Sequence, residues 1–157
     1  MQILFVLLIT FSLFIFFLFK FRLDKQTEKR YKYIKKDFLI SRAEHECYDA
    51  LIKAVGDSYY IFPQLHLDSL LKGTTFGAFR HINEKSVDFI VCDKSHISPK
   101  LAIELDDHSH DLPSRKIRDK EVEAILGRVG LPLLRLKNHG TFVPDFLAKE
   151  INRLLSL

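Results

Sequence analysis

The sequence predicts an α/β domain with a mixed sheet, preceded by one N-terminal transmembrane helix. Three observations predict this architecture: an uncharged apolar segment over residues 3–19, alternating helix-like and strand-like segments after residue 41, and a strand-helix-strand passage near the C-terminus. A helix between two strands favours a parallel pair, whereas a short loop favours an antiparallel pair. The 157 residues leave room for one domain beside the N-terminal segment, which excludes a multidomain enzyme.

The N-terminal segment has the composition of a membrane span. Its 17 residues, 3–19, carry no charge, and a helix of that length is roughly 26 Å long, close to the thickness of a thin bilayer. A cleaved signal peptide is the alternative, but residues 1–2 supply no positive side chain and residues 17–22 no small-residue cleavage site. A buried core helix is disfavoured because no polar face exists. We expect a transmembrane helix over residues 1–22.

The basic residues are concentrated directly after this segment. Residues 20–36 hold eight basic and two acidic residues, and the rest of the chain holds 16 basic and 18 acidic residues. Lys and Arg are enriched on the cytoplasmic side of membrane spans. We therefore expect a single-pass protein of the cell membrane, with the N-terminus outside and the C-terminal domain in the cytoplasm. Nucleic-acid binding by this run is the alternative to a topology signal that contacts anionic lipid.

The predicted domains are the transmembrane helix over 1–22, a basic juxtamembrane linker over 23–40 and the α/β domain over 41–157. Within the α/β domain, a capping box from Ser41 to Glu44 begins a helix over 42–55. Apolar, β-branched and aromatic runs predict four strands, over residues 59–62, 87–92, 101–106 and 131–136. No structure is predicted for residues 68–86.

Two further helices complete the domain. One begins near Ser114 or Asp111 and ends at Gly130, and the last begins at Pro144, which suits a first helical turn. The resulting order is α-β-β-β-α-β, followed by the last helix. Cysteines are few and lack paired C-x-x-C spacing, so neither a disulfide framework nor a structural zinc site is indicated.

Carboxylates interrupt the two central strands. Glu104 and Asp106 share one face of their strand, and Asp88 is the single charge in an otherwise apolar run. In a hairpin, Asp88 opposite Glu104 or Asp106 would lie about 5 Å away between Cβ atoms. Carboxylates this close repel, and Mg²⁺ or Mn²⁺ would neutralise them. The alternative is that these acids are exposed at strand ends or pair with one of three arginines, Arg115, Arg118 and Arg135.

This arrangement resembles the PD-(D/E)XK, or restriction-endonuclease-like, nuclease superfamily. More narrowly, it resembles bacterial domains of unknown function related to the very-short-patch mismatch-repair endonuclease. The resemblance covers about residues 41–136 and rests on Asp88 in one strand, Glu104 in the next, the following stretch to residue 110, an Arg- and Asp-bearing helix and the strand over 133–136. It implies a restriction-endonuclease-like sandwich with a mixed sheet.

The resemblance also implies roles for individual residues. Asp88 and Glu104 would be metal ligands together with the backbone carbonyl of Leu105, and Glu44 would contribute to the site, although its capping role explains it equally. The superfamily expects a catalytic Lys two residues after Glu104, where this chain has Asp106.

The flanking residues have implied roles as well. The mismatch-repair branch also lacks the lysine and uses histidines near the site, so His108 and His110 would act as general base or electrostatic support; surface histidines are the alternative. Arg115 and Arg118 would hold phosphates, and a solvated helix face is the alternative.

The expected function is that of a membrane-anchored nuclease that uses Mg²⁺ or Mn²⁺ to hydrolyse phosphodiester bonds, with DNA expected rather than RNA. One alternative is a catalytically inactive module that binds nucleic acid or protein, which Asp106 and the net charge of the domain favour. Another is a membrane-tethered assembly factor that contacts only protein. The sequence does not define an oligomeric state.

Overall fold

The computed structural model describes the backbone of residues 2–27, 32–106 and 113–156, and the side chains of residues 6–20, 32–106 and 116–156. The chain divides into two compact units, Met1–Asp37 and Phe38–Leu157. The first contains helix α1, Gln2–Thr27. The second is the α/β domain, which contains all the candidate site residues.

The α/β domain alternates helices and strands. In chain order its elements are α2 Arg42–Val55, β1 Tyr59–His66, α3 Leu67–Leu70, α4 Phe76–Asn83, β2 Ser86–Asp93, β3 Pro99–Asp106, α5 Pro113–Arg128, β4 Leu133–Lys137 and α6 Pro144–Leu155. The predicted α/β class is thus confirmed. The predicted helices and strands lie close to their observed bounds, and the short helices α3 and α4 occupy the stretch for which the sequence predicts no structure.

The four strands form one mixed sheet in the order β1-β2-β3-β4. β1 pairs with β2, and β2 with β3, in antiparallel fashion, while β3 pairs with β4 in parallel. The parallel pair is joined through α5, and the antiparallel β2–β3 pair is joined by a short loop, as the lengths of these connections predict.

Each face of the sheet covers a separate apolar core. On one face, α2 and α6 pack against side chains of β2 and β3, with Cys47, Leu51, Phe89, Ile103 and Ile151 buried among them. On the other face, α5 and the α3–α4 segment cover Ile90, Cys92 and Ala102. The middle strands β2 and β3 are therefore apolar on both sides, which makes charges within them conspicuous.

The predicted transmembrane helix over residues 1–22 is wrong. The N-terminal segment is helical, but among the residues that the structure describes no helix is both long enough and apolar enough to cross a membrane. The uncharged run, residues 1–19, ends at Lys20 and is at the short end of the range for a span, which is about 17–25 residues. The expected placement of the C-terminal domain in the cytoplasm stays a prediction.

Candidate functional site

A row of polar residues crosses the otherwise apolar sheet. Glu104 on β3 pairs with Arg135 on β4. Continuing the observed register by one residue places Asp88 on β2 opposite Glu104, and Gln64 on β1 lies opposite Asp88. The pairs that fix these two positions are Phe89–Ile103, Pro63–Phe89 and Leu65–Val87. The acids therefore lie on neighbouring strands, side by side.

Asp88 and Glu104 line the same cavity, whose volume is about 400 Å³. The α2 N-terminus, the sheet and α5 surround it. Its other polar lining residues are Ser41, Glu44, Gln64, Ser86, Arg118, Asp119 and Asn138. A cavity of this size lined by oxygen-bearing side chains has room for a hydrated cation or a phosphate group.

Asp88 is half-buried and held from both neighbouring strands. Its Oδ2 accepts a hydrogen bond of 2.8 Å from the backbone N–H of Leu105 on β3. Its Oδ1 accepts one of 3.4 Å from Nε2 of Gln64 on β1. These two bonds fix the orientation of the Asp88 carboxylate from both neighbouring strands.

Glu104 lies where its charge is strongly disfavoured. Burial, and then the negative charge of Asp88, raises the pKa of Glu104 to about 8; Asp119 adds to this rise, whereas Arg135 and Arg118 oppose it. The side chain therefore carries a proton near neutral pH unless a cation compensates its charge. This is the electrostatic conflict that the sequence predicts for neighbouring carboxylates.

The negative charges of Asp88 and Glu44 also influence Cys47. This thiol is fully buried on α2, and its pKa is raised to about 12 by burial first and then by Asp88 and Glu44. A thiol with such a pKa remains protonated and unreactive. Cys47 therefore serves as core, and the chemistry of the cavity is that of oxygen ligands.

Glu44 caps helix α2 and also lines the cavity. Its Oε2 accepts a hydrogen bond of 2.6 Å from the Ser41 N–H, and its own N–H donates to Ser41 Oγ at 3.3 Å, which completes the predicted capping box. Its other oxygen, Oε1, accepts a 2.6 Å hydrogen bond from Gln64. Glu44 thus reaches the cavity from the first turn of α2, one side chain away from Asp88.

Asp106 is engaged by an arginine. Arg135 donates to it through Nε at 3.0 Å and through Nη2 at 2.5 Å, and also donates to Asp119 at 3.3 Å. Asp106 and Asp119 raise the pKa of Arg135 above its usual range through these contacts. The position where the superfamily expects a lysine therefore holds an ion pair, as in the alternative in which the acids pair with arginines.

Of the four remaining predicted site residues, the structure describes the side chain of one, Arg118. Arg118 lines the cavity, and its Nη2 donates to Ser86 Oγ at 3.2 Å. Arg115 lies in helix α5, but its side chain is outside the described residues, and His108 and His110 are wholly outside them. Their predicted roles stay predictions.

A model of the family described as "Protein of unknown function (DUF2726)" matches residues 36–154. The chain belongs to this family. No curated protein and no solved structure matches it. Because the family description names no activity, the interpretation of the DUF2726 domain depends on the chemistry of its cavity.

The cavity of the DUF2726 domain offers hard oxygen ligands. Among the described residues, no three His, Cys, Asp or Glu side chains are grouped closely enough to hold a metal ion by themselves. Two carboxylates, Asp88 and Glu104, and a backbone carbonyl are nevertheless a donor set that suits Mg²⁺, which keeps several of its waters. Leu105 points its N–H toward Asp88, and the carbonyl of a strand residue points to the same side as its N–H.

Sequence reasoning missed four polar cavity residues of the DUF2726 domain: Gln64, Ser86, Asp119 and Asn138. Gln64 follows Pro63 in a strand whose register only the structure defines. Asn138 follows the end of β4, and its N–H donates to the carbonyl of Asp106 at 2.9 Å. A polar residue directly after the last parallel strand is the one signal that could have indicated Asn138, because the ends of neighbouring parallel strands meet at one edge.

Proposed function

We propose that this DUF2726 protein is a metal-dependent nuclease that hydrolyses phosphodiester bonds of nucleic acid, with DNA as the expected substrate. One observation carries the proposal: Asp88 and Glu104 lie opposite each other on adjacent strands and line one cavity. Two carboxylates so placed cost free energy unless a cation balances them.

The chemistry of the donor set supports a divalent ion. Asp88, Glu104 and the carbonyl of Leu105 would hold Mg²⁺ or Mn²⁺, and the raised pKa of Glu104 reflects a carboxylate that lacks a sufficient counter-charge. When bound, such an ion polarises a phosphate and makes a water molecule more acidic.

The side chains around the carboxylates suit a polyanionic substrate. Arg118 lies on the cavity wall and is kept there by its hydrogen bond to Ser86. Its guanidinium can donate to a phosphate placed beside the acids, which would hold the scissile bond in position. The positive charge of Arg118 would thus offset the repulsion between the two carboxylates and a phosphate of the substrate.

The resemblance to PD-(D/E)XK nucleases adds to this proposal. The acids occupy consecutive antiparallel strands of a mixed sheet covered by helices on both faces, in the chain order that the resemblance implies. The departure is Asp106, whose ion pair with Arg135 occupies the position of the expected lysine.

The proposal is tested with the purified full chain and a DNA substrate. We expect cleavage that requires Mg²⁺ or Mn²⁺ and falls at least about 100-fold in Asp88→Asn and Glu104→Gln, because metal catalysis supplies several kcal/mol. Glu46→Gln is the control: this residue lies on α2 and pairs with Arg42 at the surface. Cleavage that persists in both cavity variants would refute the proposal.

A second function is favoured by the ion pair at Asp106. If Arg135 is committed to Asp106 and Asp119, it supplies no lysine-like charge to a substrate. The domain would then be an inactive module that binds nucleic acid or protein. Calorimetry separates the two: binding of Mn²⁺ below millimolar concentration favours the nuclease, and its absence favours the module.

A further inference from the structure

Gln64 has an unusual backbone for a residue with a long side chain. Its φ is +53°, in the left-handed region that glycine and asparagine tolerate best. It lies between Pro63 and Leu65, which pair with β2 in one continuous register. Non-glycine residues hold such conformations only where the surroundings enforce them, and these positions cluster at functional sites.

The left-handed conformation brings the Gln64 side chain between two carboxylates. Nε2 donates to Glu44 Oε1 at 2.6 Å and to Asp88 Oδ1 at 3.4 Å. An amide nitrogen donates two hydrogens, so one neutral group can serve both acids. This contact links α2 to the central strand across the cavity.

The two hydrogen bonds complete the restraint of both acids. Glu44 is fixed through its second oxygen by the N–H of Ser41, and Asp88 through its second oxygen by the N–H of Leu105. Gln64 donates to the other oxygen of each, Oε1 of Glu44 and Oδ1 of Asp88. Without this shared donor, the repulsion between the two carboxylates would be less well compensated, and the side chains would turn apart.

We propose that Gln64 is a positioning residue that holds Asp88 and Glu44 in the orientation required for metal binding. This inference rests on the proposed function, because it concerns the same cavity. Groups that orient metal ligands through hydrogen bonds typically change metal affinity by roughly 10–100-fold when removed.

The test is the dissociation constant of Mn²⁺, measured by calorimetry on the full chain and on Gln64→Gly. Glycine accepts the left-handed backbone and removes only the amide, so the midpoint of thermal unfolding should not fall. We expect the dissociation constant to rise at least about 10-fold. Gln64→Asn, which tolerates the same backbone and keeps an amide, should recover part of the affinity.

The outcomes separate the two proposals. Mn²⁺ binding by the wild-type chain, with an affinity for Gln64→Gly that stays within about twofold, would overturn the role of Gln64 and leave the nuclease proposal intact. No binding by the wild-type chain would overturn both. If Gln64→Gly unfolds at a lower temperature, Gln64→Asn decides: a folded Asn variant without any gain in affinity over the Gly variant contradicts positioning.

Discussion

At the scale of single residues, the three candidate acids differ in what compensates their charge. Asp106 has Arg135, Asp88 has donors from both neighbouring strands, and Glu104 has an environment that raises its pKa to about 8. These differences separate a structural carboxylate from candidate metal ligands. The sequence indicates all three acids but not the donors that compensate each one, because the partner side chains come from distant segments.

The raised pKa of Glu104 predicts a pH dependence of stability. The folded protein keeps this proton up to about pH 8, whereas the unfolded chain loses it near the ordinary pKa of 4.5, so stability is full below pH 4.5 and falls as pH rises toward 8. Glu104→Gln cannot ionise and should lose this part of the pH dependence. At pH 9 we expect it to be more stable than wild type by about 1 kcal/mol or more, since one pKa unit corresponds to about 1.4 kcal/mol.

Urea unfolding of both proteins at pH 5 and pH 9, in the presence of a chelator, measures this difference. Identical pH dependence in wild type and Glu104→Gln would contradict the assigned burial of Glu104. Addition of Mn²⁺ at pH 9 should stabilise the wild-type chain more than the variant, because a bound cation balances the ionised carboxylate.

The ion pair of Arg135 predicts a cost in stability. Arg135→Met leaves Asp106 and Asp119 without their shared donor in a half-buried setting, and we expect a loss of about 1–3 kcal/mol in the free energy of unfolding. Arg153→Met is the matched control, since its pair with Glu150 lies on the surface and should contribute less than about 1 kcal/mol. Equal losses in urea unfolding would show that Arg135 has no special structural role.

At the scale of elements, the start of helix α2 connects stability to the cavity. The capping box of Ser41 and Glu44 is visible in the sequence and is confirmed in the structure. The contact from Gln64 to Glu44 is not visible in the sequence, because the two residues lie on different elements that only the fold brings together.

The cap predicts a measurable effect. Ser41→Ala should lower the free energy of unfolding by about 1 kcal/mol, the usual cost of losing a helix N-cap. Ser41→Asp restores an acceptor for the N–H of Glu44 and should recover most of this loss. Urea unfolding checks both variants, and an unchanged stability in Ser41→Ala would contradict the assigned cap.

The four strands could be predicted from the sequence, whereas the two short helices between β1 and β2 could not. Apolar runs such as the one over β2 have few alternatives, and their partners follow from loop lengths. Helices α3 and α4 have only four and eight residues, too few for a helical period to be recognised in the sequence, and the packing of Leu67 and Ile82 stabilises them. The sequence also does not define which residues pair between neighbouring strands, so the position of Gln64 opposite Asp88 could not be predicted.

At the scale of the whole molecule, all candidate site residues lie in the unit Phe38–Leu157. The N-terminal segment was mispredicted because its apolar composition and its length both favour a membrane span, whereas no helix among the described residues is long and apolar enough for one.

This separation predicts that removing residues 1–37 leaves the site unchanged. The shortened chain should bind Mn²⁺ with a dissociation constant within about twofold of the full chain, because every proposed ligand and its hydrogen-bond partners remain, together with the second contacts that orient them. Calorimetry on both chains checks this. A large loss of affinity in a shortened chain that still unfolds cooperatively would place part of the site in the N-terminal unit.

The most direct test of a metal site between Asp88 and Glu104 is a crystal structure of the protein with Mn²⁺, located by its anomalous scattering. We expect one ion in the cavity, coordinated by a carboxylate oxygen from each of these residues and by the carbonyl of Leu105. A fully soaked crystal with no ion in that cavity, or with an ion bound by other residues alone, would contradict the account.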